Sequence, residues 1–576
     1  DFLGRLMQVT GPLDTPDNPS VIYEYDLNIF PTMVGKHVRT DYGASEFYST
    51  YQFKDGMNRT IQVKSPAQNS LQQIVSKTQV FDERGQVIEG YKPHLVSTSM
   101  TYTPPDLSQP KFQYEYDPLG RTTKQTSPDG TFTTTEYAQW TVTVTDEEGK
   151  VKTRHVDVYG RLVKVEEVNG SETYTTLYQY DLMGNLKQTT DALGNSTTIE
   201  YDSVGRKTAM DDPDMGHWEY TYDFVGNLIS QKDAKNQTLS FQYDELNRLT
   251  DKTGTGVSVT YHYDDATKEN GVGRLSKVTD NSGQTEFFYD RLGRETKSIK
   301  TVDNVGYEVQ RTYDALNRVT TVTYPDGETI AYMYGAQGVE SIMSQDVDYL
   351  MSANYMPTGQ IEQLKLNNNL VTTDYEYDPQ TFRLKTLKTR NGANVLVQDL
   401  KYEFDKVGNV EYLTDVRRNN VQVFGYDDLH RLTSASSPAT YGSQSYTYNA
   451  IGNLTFKDGV TQYFAHPTKP HAVTSRSDGL SMTYDANGNM ASKGTQVLAY
   501  DIENRLTQVT SGGVQQAAFS YDGDGGRVKK LTPAGTTTFI GKLWEVKADG
   551  STVKYVWMGS RRLASKASNG ATLFYH

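Results

Sequence analysis

Polar and apolar positions alternate along most of this chain, and aromatic residues repeatedly stand two positions apart ahead of a polar turn. Residues i and i+2 of a β-strand share one face. Each aromatic pair is therefore expected on one face of a strand. These pairs are Tyr114/Tyr116, Tyr178/Tyr180, Tyr220/Tyr222, Phe241/Tyr243, Tyr261/Tyr263, Tyr375/Tyr377 and Tyr446/Tyr448. No long stretch shows the 3.6-residue period of a helix, so the pattern predicts an all-β protein with little helix.

The aromatic pairs also suggest how neighbouring strands are held together. Successive hairpins should bring the rings into a ladder, because cross-strand aromatic pairs contribute roughly 0.2–1 kcal/mol each. The chain is only 36% hydrophobic but contains 42 Tyr. A tyrosine buries a large apolar body and can keep its polar tip in water. This composition predicts a sheet with a solvated face rather than a thick apolar core.

A fixed period marks the middle of the chain. Tyr-Asp pairs begin at Tyr180, Tyr201, Tyr222 and Tyr243, at intervals of 21 residues, and a second, looser turn falls between successive pairs. Such a period indicates a repeat architecture, and two turns per unit predict two short strands per unit. The residues assigned to the structural repeat motif are Tyr116, Asp117, Gly120, Arg121, Tyr180, Asp181, Gly184, Tyr201, Asp202, Gly205, Arg206, Tyr222, Asp223, Gly226, Tyr243, Asp244, Asn247, Arg248, Tyr289, Asp290, Gly293 and Arg294.

The turn after each Tyr-Asp pair follows known turn chemistry. A type I turn favours Asp at its first position, Pro at its second and Gly at its fourth, and Asp117-Pro118-Leu119-Gly120 supplies all three. Elsewhere the fourth position is Asn or His, which tolerate positive φ. We therefore predict a type I turn with a bulge. Positive φ is expected at Gly120, Gly184, Gly205, Gly226, Asn247, Gly293, Asn317, Gly408, His430 and Asn504.

Charge and composition exclude several classes of protein. A formal net charge of −14 argues against nucleic acid or an anionic membrane as a partner. The absence of Cys excludes a disulfide scaffold and thiol chemistry. No apolar run approaches the roughly 18 residues of a membrane span. The chain opens inside an incomplete repeat, so its start resembles a cut within a longer protein.

Candidate chemical sites are better explained as repeat turns. The many carboxylates stand at turn starts, which favours hairpin caps over catalytic pairs. Asp522–Gly526 and Asp485–Asn489 resemble calcium loops only faintly, because neither has the later Gly and Glu of an EF-hand. His466 and His471 lie in a Pro-broken loop whose spacing matches no metal site. We predict no catalytic, cofactor-binding or metal-binding residue, with tyrosine stacking on sugars as a minor alternative.

The repeats resemble those of the YD-repeat, or Rhs-repeat, family, which includes Rhs polymorphic toxins, insecticidal toxin-complex B and C components and teneurins. The resemblance rests on segments such as FQYEYDPLGR, YQYDLMGNL, YTYDFVGNL, FQYDELNRL and FFYDRLGR. It implies a long antiparallel hairpin strip that spirals into a hollow shell (a β-cocoon), here partial and open-ended. The final Leu573-Phe574-Tyr575-His576 resembles the start of the family's core domain, so the self-cleaving aspartates and toxin are expected beyond it.

The pattern divides the chain into three parts. Residues 1–110 carry degenerate repeats similar to the lead-in of toxin-complex B components, residues 111–530 carry regular repeats, and residues 531–576 are expected to lead toward the core domain. The 36-residue gap between Tyr448 and Tyr484 should contain a loop. At 21 residues and two strands per unit, about 54 strands would form a strip on the order of 260 Å long and 23 Å wide. Such a strip must curl, stack its turns and enclose at most a small protein.

Two functions remain open at this point. The resemblance implies a noncatalytic shell that sequesters a C-terminal toxin in cis until delivery, with other toxin-complex or secretion components as possible partners. The alternative is a teneurin-like or cell-wall-associated adhesive module that binds a protein or glycan. A hydrolase is the third and weakest reading. Both main functions imply a secreted or cell-surface bacterial protein, without cofactor, nucleic-acid partner or membrane span.

Overall fold

The computed structural model describes residues 4–42 and 45–575, and every regular element in this part of the chain is a β-strand. Asp1 and His576 lie outside the described residues. The predicted number of strands is confirmed, because 54 are present.

The strands of the first half are β1 (Gln8–Val9), β2 (Val21–Asp26), β3 (Thr32–Arg39), β4 (Phe47–Lys54), β5 (Thr60–Pro66), β6 (Gln72–Ser76), β7 (Gln79–Phe81), β8 (Val87–Tyr91), β9 (His94–Ser97), β10 (Lys111–Tyr116), β11 (Thr122–Thr126), β12 (Phe132–Tyr137), β13 (Thr141–Thr145), β14 (Val151–Val156), β15 (Leu162–Asn169), β16 (Glu172–Tyr180), β17 (Leu186–Thr190), β18 (Ser196–Tyr201), β19 (Lys207–Asp212), β20 (Gly216–Tyr222), β21 (Leu228–Lys232), β22 (Thr238–Tyr243), β23 (Leu249–Gly254), β24 (Val257–Tyr263), β25 (Leu275–Asp280), β26 (Gly283–Tyr289) and β27 (Glu295–Val302).

The strands of the second half are β28 (Val305–Tyr313), β29 (Val319–Thr323), β30 (Thr329–Tyr334), β31 (Val339–Met343), β32 (Asp348–Tyr355), β33 (Ile361–Leu366), β34 (Val371–Tyr377), β35 (Leu384–Asn391), β36 (Leu396–Phe404), β37 (Val410–Asp415), β38 (Asn420–Tyr426), β39 (Leu432–Ser437), β40 (Gly442–Tyr448), β41 (Leu454–Lys457), β42 (Val460–Tyr463), β43 (Ser475–Arg476), β44 (Met482–Tyr484), β45 (Met490–Lys493), β46 (Gln496–Tyr500), β47 (Leu506–Ser511), β48 (Val514–Tyr521), β49 (Arg527–Thr532), β50 (Gly535–Ile540), β51 (Trp544–Val546), β52 (Thr552–Met558), β53 (Arg561–Ala567) and β54 (Thr572–Phe574).

Almost all of the strands form one antiparallel strip in which each strand pairs with the next in sequence. The strip runs from β7 through β8 and β10 to β43. A single bridge between Ser475 and Ser481 leads into the sheet of β44–β54. In the described residues no register of paired strands joins β43 back to β7, so the strip is an open sheet. The expected loop is present between β42 and β43.

The amino-terminal part forms its own small sheet in the order β1-β2-β3-β4-β5-β6-β9. Its core consists of Met33, Tyr51 and Phe53. The next hairpin, β7–β8, pairs with β10 and starts the long strip. The chain therefore continues the up-and-down alternation of hairpins from this sheet into the strip.

The predicted repeat turn is confirmed. In the repeat that begins at Tyr201, the Asp202 N–H donates to the Arg206 carbonyl at 2.9 Å, and the Gly205 N–H donates to the Asp202 carbonyl at 3.1 Å. The register shifts at Tyr201, as a bulge requires. Positive φ occurs at all ten predicted positions: Gly120, Gly184, Gly205, Gly226, Asn247, Gly293, Asn317, Gly408, His430 and Asn504.

The strip coils on itself. Residues 222 to 287 apart in sequence form hydrogen bonds, from the Lys300 side chain with Asp522 to the Tyr355 N–H with the Gln68 side chain. We call the edge with the Tyr-Asp turns the YD edge and the other edge the return edge. In most of these contacts, the return edge of the first turn of the coil meets the YD edge of the second; Lys554, Tyr555 and Lys566 instead make their contacts from within β52 and β53. The predicted stacking of successive turns is thus present.

The coil leaves most of its surface open to solvent. A compact protein of 64.7 kDa has an accessible surface of about 20,000 Å², whereas this chain has 30070 Å². The largest buried cluster lies where residues 302–366 meet residues 528–574, not at the centre of a globule. Away from this cluster, where β32 packs against β53, these observations agree with a wall one sheet thick around an open interior.

The turn geometry predicts a position-specific cost. Gly226 has a φ of 102°, and no atom lies within 4 Å of the place that a Cβ would occupy. Replacing it with Val should destabilise the protein by about 1–2 kcal/mol through backbone strain alone. Gly226→Asn should cost less, and so should substitution of the neighbouring Asn227 by Val. Thermal unfolding of the three variants tests this, and equal midpoints for Gly226→Val and Gly226→Asn would contradict the strain.

Candidate functional site

The Tyr-Asp motif builds a link between consecutive hairpins, and the aspartate organises its own turn first. Asp202 Oδ1 accepts the N–H groups of Val204 at 3.0 Å and Arg206 at 2.9 Å. Asp202 Oδ2 binds Arg206 Nε at 2.6 Å. The Arg206 backbone N–H, together with its guanidinium, holds the pKa of the Asp202 carboxyl below its usual value. In repeats of this kind, the aspartate therefore caps the turn and fixes the arginine that follows it.

The arginine reaches forward to the next repeat. Arg206 Nη1 donates to the Asp223 carbonyl at 2.9 Å, and its guanidinium carbon lies 4.9 Å from the centre of the Tyr222 ring. Arg294 repeats this arrangement with the Asp314 carbonyl at 2.8 Å and the Tyr313 ring at 4.8 Å. The planar guanidinium suits this double role, because it binds a carboxylate and stacks on a ring at once.

The tyrosine hydroxyl reaches back to the previous repeat. Tyr222 donates to the Lys207 carbonyl at 2.9 Å, and Tyr243 donates to the Leu228 carbonyl at 2.9 Å. Equivalent bonds are made by Tyr116, Tyr180, Tyr201 and Tyr289. The expectation that the tyrosine tips are left in water is therefore wrong for these residues. A carbonyl just past the previous turn needs a donor, and the hydroxyl supplies it.

The predicted ladder of stacked rings is also wrong in its main feature. In the described part of the chain, close ring-to-ring contacts are few, and none joins the two rings of a predicted pair; Tyr402 and Phe404, which also stand two positions apart, do stack. The rings instead carry cations: Arg121 lies 4.2 Å from the Tyr137 ring, and Lys207 lies 4.2 Å from the Tyr220 ring. A cation over a ring satisfies both groups on a half-wet surface, which stacked rings do not.

Some repeats have Asn where others have Arg. Asn185 Nδ2 binds Asp181 Oδ2 at 2.9 Å, so the turn is still capped. Asn227 caps Asp223 in the same way and reaches the Asn247 side chain at 2.9 Å. The shorter side chain keeps a polar contact with its neighbour but cannot cover the next tyrosine ring. The link therefore varies in strength along the strip.

A second set of contacts joins the two turns of the coil. Asp428 accepts from Lys150 Nζ at 2.5 Å and from the Gly170 N–H at 2.8 Å. His430 Nε2 lies 2.7 Å from Asp146 Oδ2. In each of these contacts, a Tyr-Asp hairpin in the second turn of the coil meets a return-edge hairpin in the first turn of the coil. We call this set of contacts the seam.

A further contact between the two turns of the coil is ionic and involves a lysine of β52 rather than a Tyr-Asp turn. Lys554 is 4% exposed and binds Asp326 and Glu328, and Lys566 Nζ lies 3.0 Å from the same glutamate. Burial opposes ionisation of Glu328, but hydrogen bonds from Lys554, Ser344 and Lys566 lower its pKa to about 2. The Tyr324 hydroxyl donates to the Tyr555 carbonyl beside them at 2.8 Å.

The two turns that faintly resemble calcium loops also belong to the seam, and so does the loop that contains His466 and His471. Asp522 pairs with Lys300 at 2.5 Å, and Asp485 pairs with Lys235 at 3.2 Å. His471 Nδ1 lies 2.6 Å from Asp214 Oδ2, whereas His466 Nδ1 accepts N–H groups within its own loop. In the described residues no group of three or more His, Asp or Glu side chains is arranged to hold a metal ion.

The two faces of the strip differ in chemistry. One carries the tyrosines with their arginines and lysines, and the other carries exposed polar residues just before each motif tyrosine, such as Glu200, Thr221, Gln242 and His262. Neither face is a continuous apolar surface. No helix in the described residues is long and apolar enough to cross a membrane. The arrangement can enclose a space and contact its contents through polar groups.

Comparison with known proteins supports a β-shell fold for this chain. The Teneurin YD-shell model matches residues 18–279, and the RHS Repeat model matches residues 298–329. Among curated proteins, the double-stranded DNA deaminase toxin A of Burkholderia cenocepacia is 23% identical over 501 residues, which are 81% of this chain and 33% of that protein. The toxin subunit YenC2 of Yersinia entomophaga is 28% identical over 227 residues, 31% of this chain and 23% of that protein.

Solved structures share the fold. The crystal structure of TcdB2-TccC3 has a TM-score of 0.81 at 18% identity, covering 98% of this chain and 36% of that one. The Tc holotoxin pore of Photorhabdus luminescens has a TM-score of 0.74 at 19% identity, covering 94% of this chain and 32% of that one. This chain thus spans about a third of each structure, and of deaminase toxin A. The β-shell is the fold that they have in common.

The backward bond of the tyrosine can be tested with a matched pair. Tyr222→Phe removes the hydroxyl that satisfies the Lys207 carbonyl and should destabilise its hairpin by about 1 kcal/mol. Tyr220→Phe is the control, because the Tyr220 hydroxyl has no hydrogen bond to a described residue. Amide hydrogen exchange of residues 207–222 should speed up in Tyr222→Phe alone. Equal exchange in both variants would show that the hydroxyl is dispensable.

The seam should weaken in acid. Because the pKa of Glu328 is lowered to about 2 in the folded chain from 4.5, its stabilising effect is complete above about pH 4.5 and is lost as the pH falls toward 2. Glu328→Gln should cost on the order of 2 kcal/mol at pH 7 and flatten the decline of the melting temperature between these values. Glu362→Gln, at an exposed site, is the control. An unchanged acid decline in Glu328→Gln would refute the role of the seam cluster.

Proposed function

Because this chain is a member of the YD-repeat, or Rhs-repeat, family, we propose that it is a noncatalytic shell module of a bacterial toxin that sequesters an effector until delivery. The observation that carries the proposal is the open coil, whose surface of 30070 Å² exceeds that of a compact protein by about half. The curated relatives named as toxins supply the class of cargo. The division into residues 1–110, 111–530 and 531–576 is part of this proposal.

The coil sets the size of the enclosed space. One turn, from the hairpin of Lys150 to that of Asp428, contains the 25 strands β14–β38. At about 4.8 Å per strand the circumference is roughly 120 Å, and the lumen between side chains is roughly 28 Å across. A folded domain of 100 residues has a radius of gyration of about 13 Å and is wider than this lumen. An enclosed effector would therefore be small or incompletely folded.

The chemistry of the wall suits temporary storage. A continuous apolar lining would hold a cargo too tightly, at roughly 25 cal/mol per Å² of buried surface. Both faces of this strip are instead interrupted by polar side chains or by cations over rings. The net charge of −14 would favour weak retention of a basic cargo over an acidic one. Storage then depends on the walls and the seam rather than on tight binding.

An adhesive surface module is the second candidate, favoured by the match of the Teneurin YD-shell model to residues 18–279. In that case the outer face would bind a protein or glycan partner, and the interior would have no cargo. Delivery to the cell exterior is common to both candidates. Exposed tyrosines on the outer face would then be the binding groups.

The test is protection of the cargo. We would express the complete reading frame that contains this chain, and separately its candidate effector segment, and compare toxicity and protease resistance. Storage predicts that the effector is harmless and resists digestion within the complete protein, but is toxic and digestible alone. Lys554→Ala, which removes the seam cation, should restore digestion, whereas the exposed-site control Glu362→Gln should not. Equal toxicity and digestion with and without the shell would replace storage with the adhesive function.

A further inference from the structure

The hairpin that joins β15 to β16 contains the pair Asn169-Gly170, and both residues contact the second turn of the coil. The Gly170 N–H donates to Asp428 Oδ2 at 2.8 Å, and the Asp428 N–H donates to Asn169 Oδ1 at 3.1 Å. Asp428 thus binds the backbone nitrogen of the glycine through its carboxylate and the side-chain carbonyl of the asparagine through its backbone. Gly170 is exposed, so water reaches the pair.

An Asn-Gly pair can react with itself. The backbone nitrogen of the glycine attacks the side-chain carbon of the asparagine and closes a succinimide ring, and a glycine has no side chain to obstruct the attack. Because the two groups belong to consecutive residues, the attack is intramolecular. It still needs a base for the N–H proton and a donor for the oxygen on which negative charge develops. The carboxylate and the N–H of Asp428 stand at these two places.

Asp428 is in the form that a base requires. Hydrogen bonds from Lys150 Nζ and then from the Gly170 N–H lower the pKa of its carboxyl, so the group is ionised at neutral pH. Asn169 Nδ2, the group that must leave, donates to the Tyr174 hydroxyl at 3.4 Å. The asparagine amide is therefore held by hydrogen bonds on both its oxygen and its nitrogen.

The other Asn-Gly pairs lack this arrangement. The sequence contains five such pairs: Asn169-Gly170, Asn270-Gly271, Asn391-Gly392, Asn487-Gly488 and Asn569-Gly570. The N–H groups of Gly271, Gly488 and Gly570 donate to backbone carbonyls of their own turns. Among the described residues, Gly170 is the one glycine of the five whose N–H donates to a carboxylate.

Asn391-Gly392 is the best matched of the four. Both residues are exposed, and Asn391 Oδ1 accepts the N–H groups of Ala393 at 3.1 Å and Val395 at 3.0 Å. Its carbonyl is therefore polarised by N–H donors, as the carbonyl of Asn169 is. No carboxylate of a described residue accepts the Gly392 N–H, so the two pairs differ in the base.

We propose that Asn169-Gly170 is a site of self-modification, at which Asp428 promotes closure of a succinimide that water then opens to aspartate or isoaspartate. In the first step the Gly170 nitrogen gives its proton to Asp428 and forms a bond with the Asn169 side-chain carbon. The bond from that carbon to Nδ2 then breaks with its electron pair on Nδ2, which takes a proton back from Asp428 through solvent water and leaves as ammonia. In the second step one water adds to either carbonyl of the ring.

The modification weakens the seam at this hairpin. Hydrolysis puts a carboxylate where the amide was, next to the carboxylate of Asp428, and like charges in close contact repel. Isoaspartate also lengthens the backbone by one carbon, which moves the Gly170 N–H relative to Asp428. The contact between the two turns of the coil therefore loosens with the age of the folded chain. This inference rests on the seam and not on whether the interior holds a cargo.

The test is the rate of modification at each Asn-Gly pair of the folded chain. Incubation at neutral pH, followed by digestion and mass spectrometry with fragmentation that separates aspartate from isoaspartate, measures all the rates in one sample. Asn169 should react at least about tenfold faster than Asn391, because general-base catalysis contributes a factor of this size or more. Unfolding in urea should bring the two rates together, since it separates Asp428 from the pair.

Two variants separate the carboxylate from the seam contact. Asp428→Asn removes the base and keeps the backbone N–H, so it should slow Asn169 to about the rate of Asn391 without changing Asn391 itself. Lys150→Ala is the matched control, because it removes the ion pair with Asp428 and leaves the carboxylate in place. In this control Asn169 should react at least as fast as in the unsubstituted chain. Asn169→Asp, one of the two products, should speed up amide hydrogen exchange of residues 426–431.

Each other outcome would overturn the proposal. Modification of Asn169 at or below the rate of Asn391 in the folded, unsubstituted chain would show that the contact protects the pair, and this comparison needs no variant. An unchanged rate in Asp428→Asn, or an equal fall in Asp428→Asn and Lys150→Ala, would assign the reactivity to the hairpin or the seam rather than to the carboxylate. Unchanged exchange in Asn169→Asp would remove the loosening of the seam. Because no readout involves an effector, failure here is separate from failure of the storage function.

Discussion

A single hairpin of this chain buries too little surface to hold its own shape, and every repeat depends on its neighbours for that reason. The Tyr-Asp motif supplies the dependence in both directions. Arg206 binds forward to the Asp223 carbonyl and covers the Tyr222 ring, while the Tyr222 hydroxyl binds back to the Lys207 carbonyl. The chain is long and uniform because this contact repeats, and it stays a thin wall because the contact lies within the sheet.

A thin wall of this length has two long edges whose polar groups need partners. Coiling brings the return edge of the first turn against the YD edge of the second and so supplies partners to about half of them. The return edge of the first turn supplies Lys150, Asp146 and Asp214, and the YD edge of the second supplies Asp428, His430 and His471. These contacts are polar and mostly half-exposed, so each alone contributes little. Their repetition around the coil, with the buried Lys554 cluster at one end, closes the wall between turns. The same arrangement leaves a lumen, which is the basis for the proposed storage function.

Local features of the fold could be predicted from the sequence, and contacts between distant residues could not. The turn at Gly205 follows from residue types alone, because few residues other than Gly, Asn and His tolerate its φ of 83°. The role of the Tyr222 hydroxyl was missed because it depends on the exact strand register. The recurrence of Arg four residues after Asp, as in Asp202 and Arg206, was a signal that could have revealed the ion pair. The contact of Asp428 with Lys150 spans 278 residues and leaves no periodic trace.

The open coil is tested most directly by a distance across it. The chain contains no Cys, so spin labels can be attached specifically at Gln179→Cys on β16 and Thr312→Cys on β28, two equivalent exposed positions 12 strands apart. Half a turn of the coil places their backbones roughly 38 Å apart, whereas a flat sheet gives about 58 Å and two packed sheets about 10 Å. Pulsed electron paramagnetic resonance should therefore give a single distance near 35–45 Å, allowing for the labels, as estimated from the strand spacing. A distance near either other value would contradict the hollow shell.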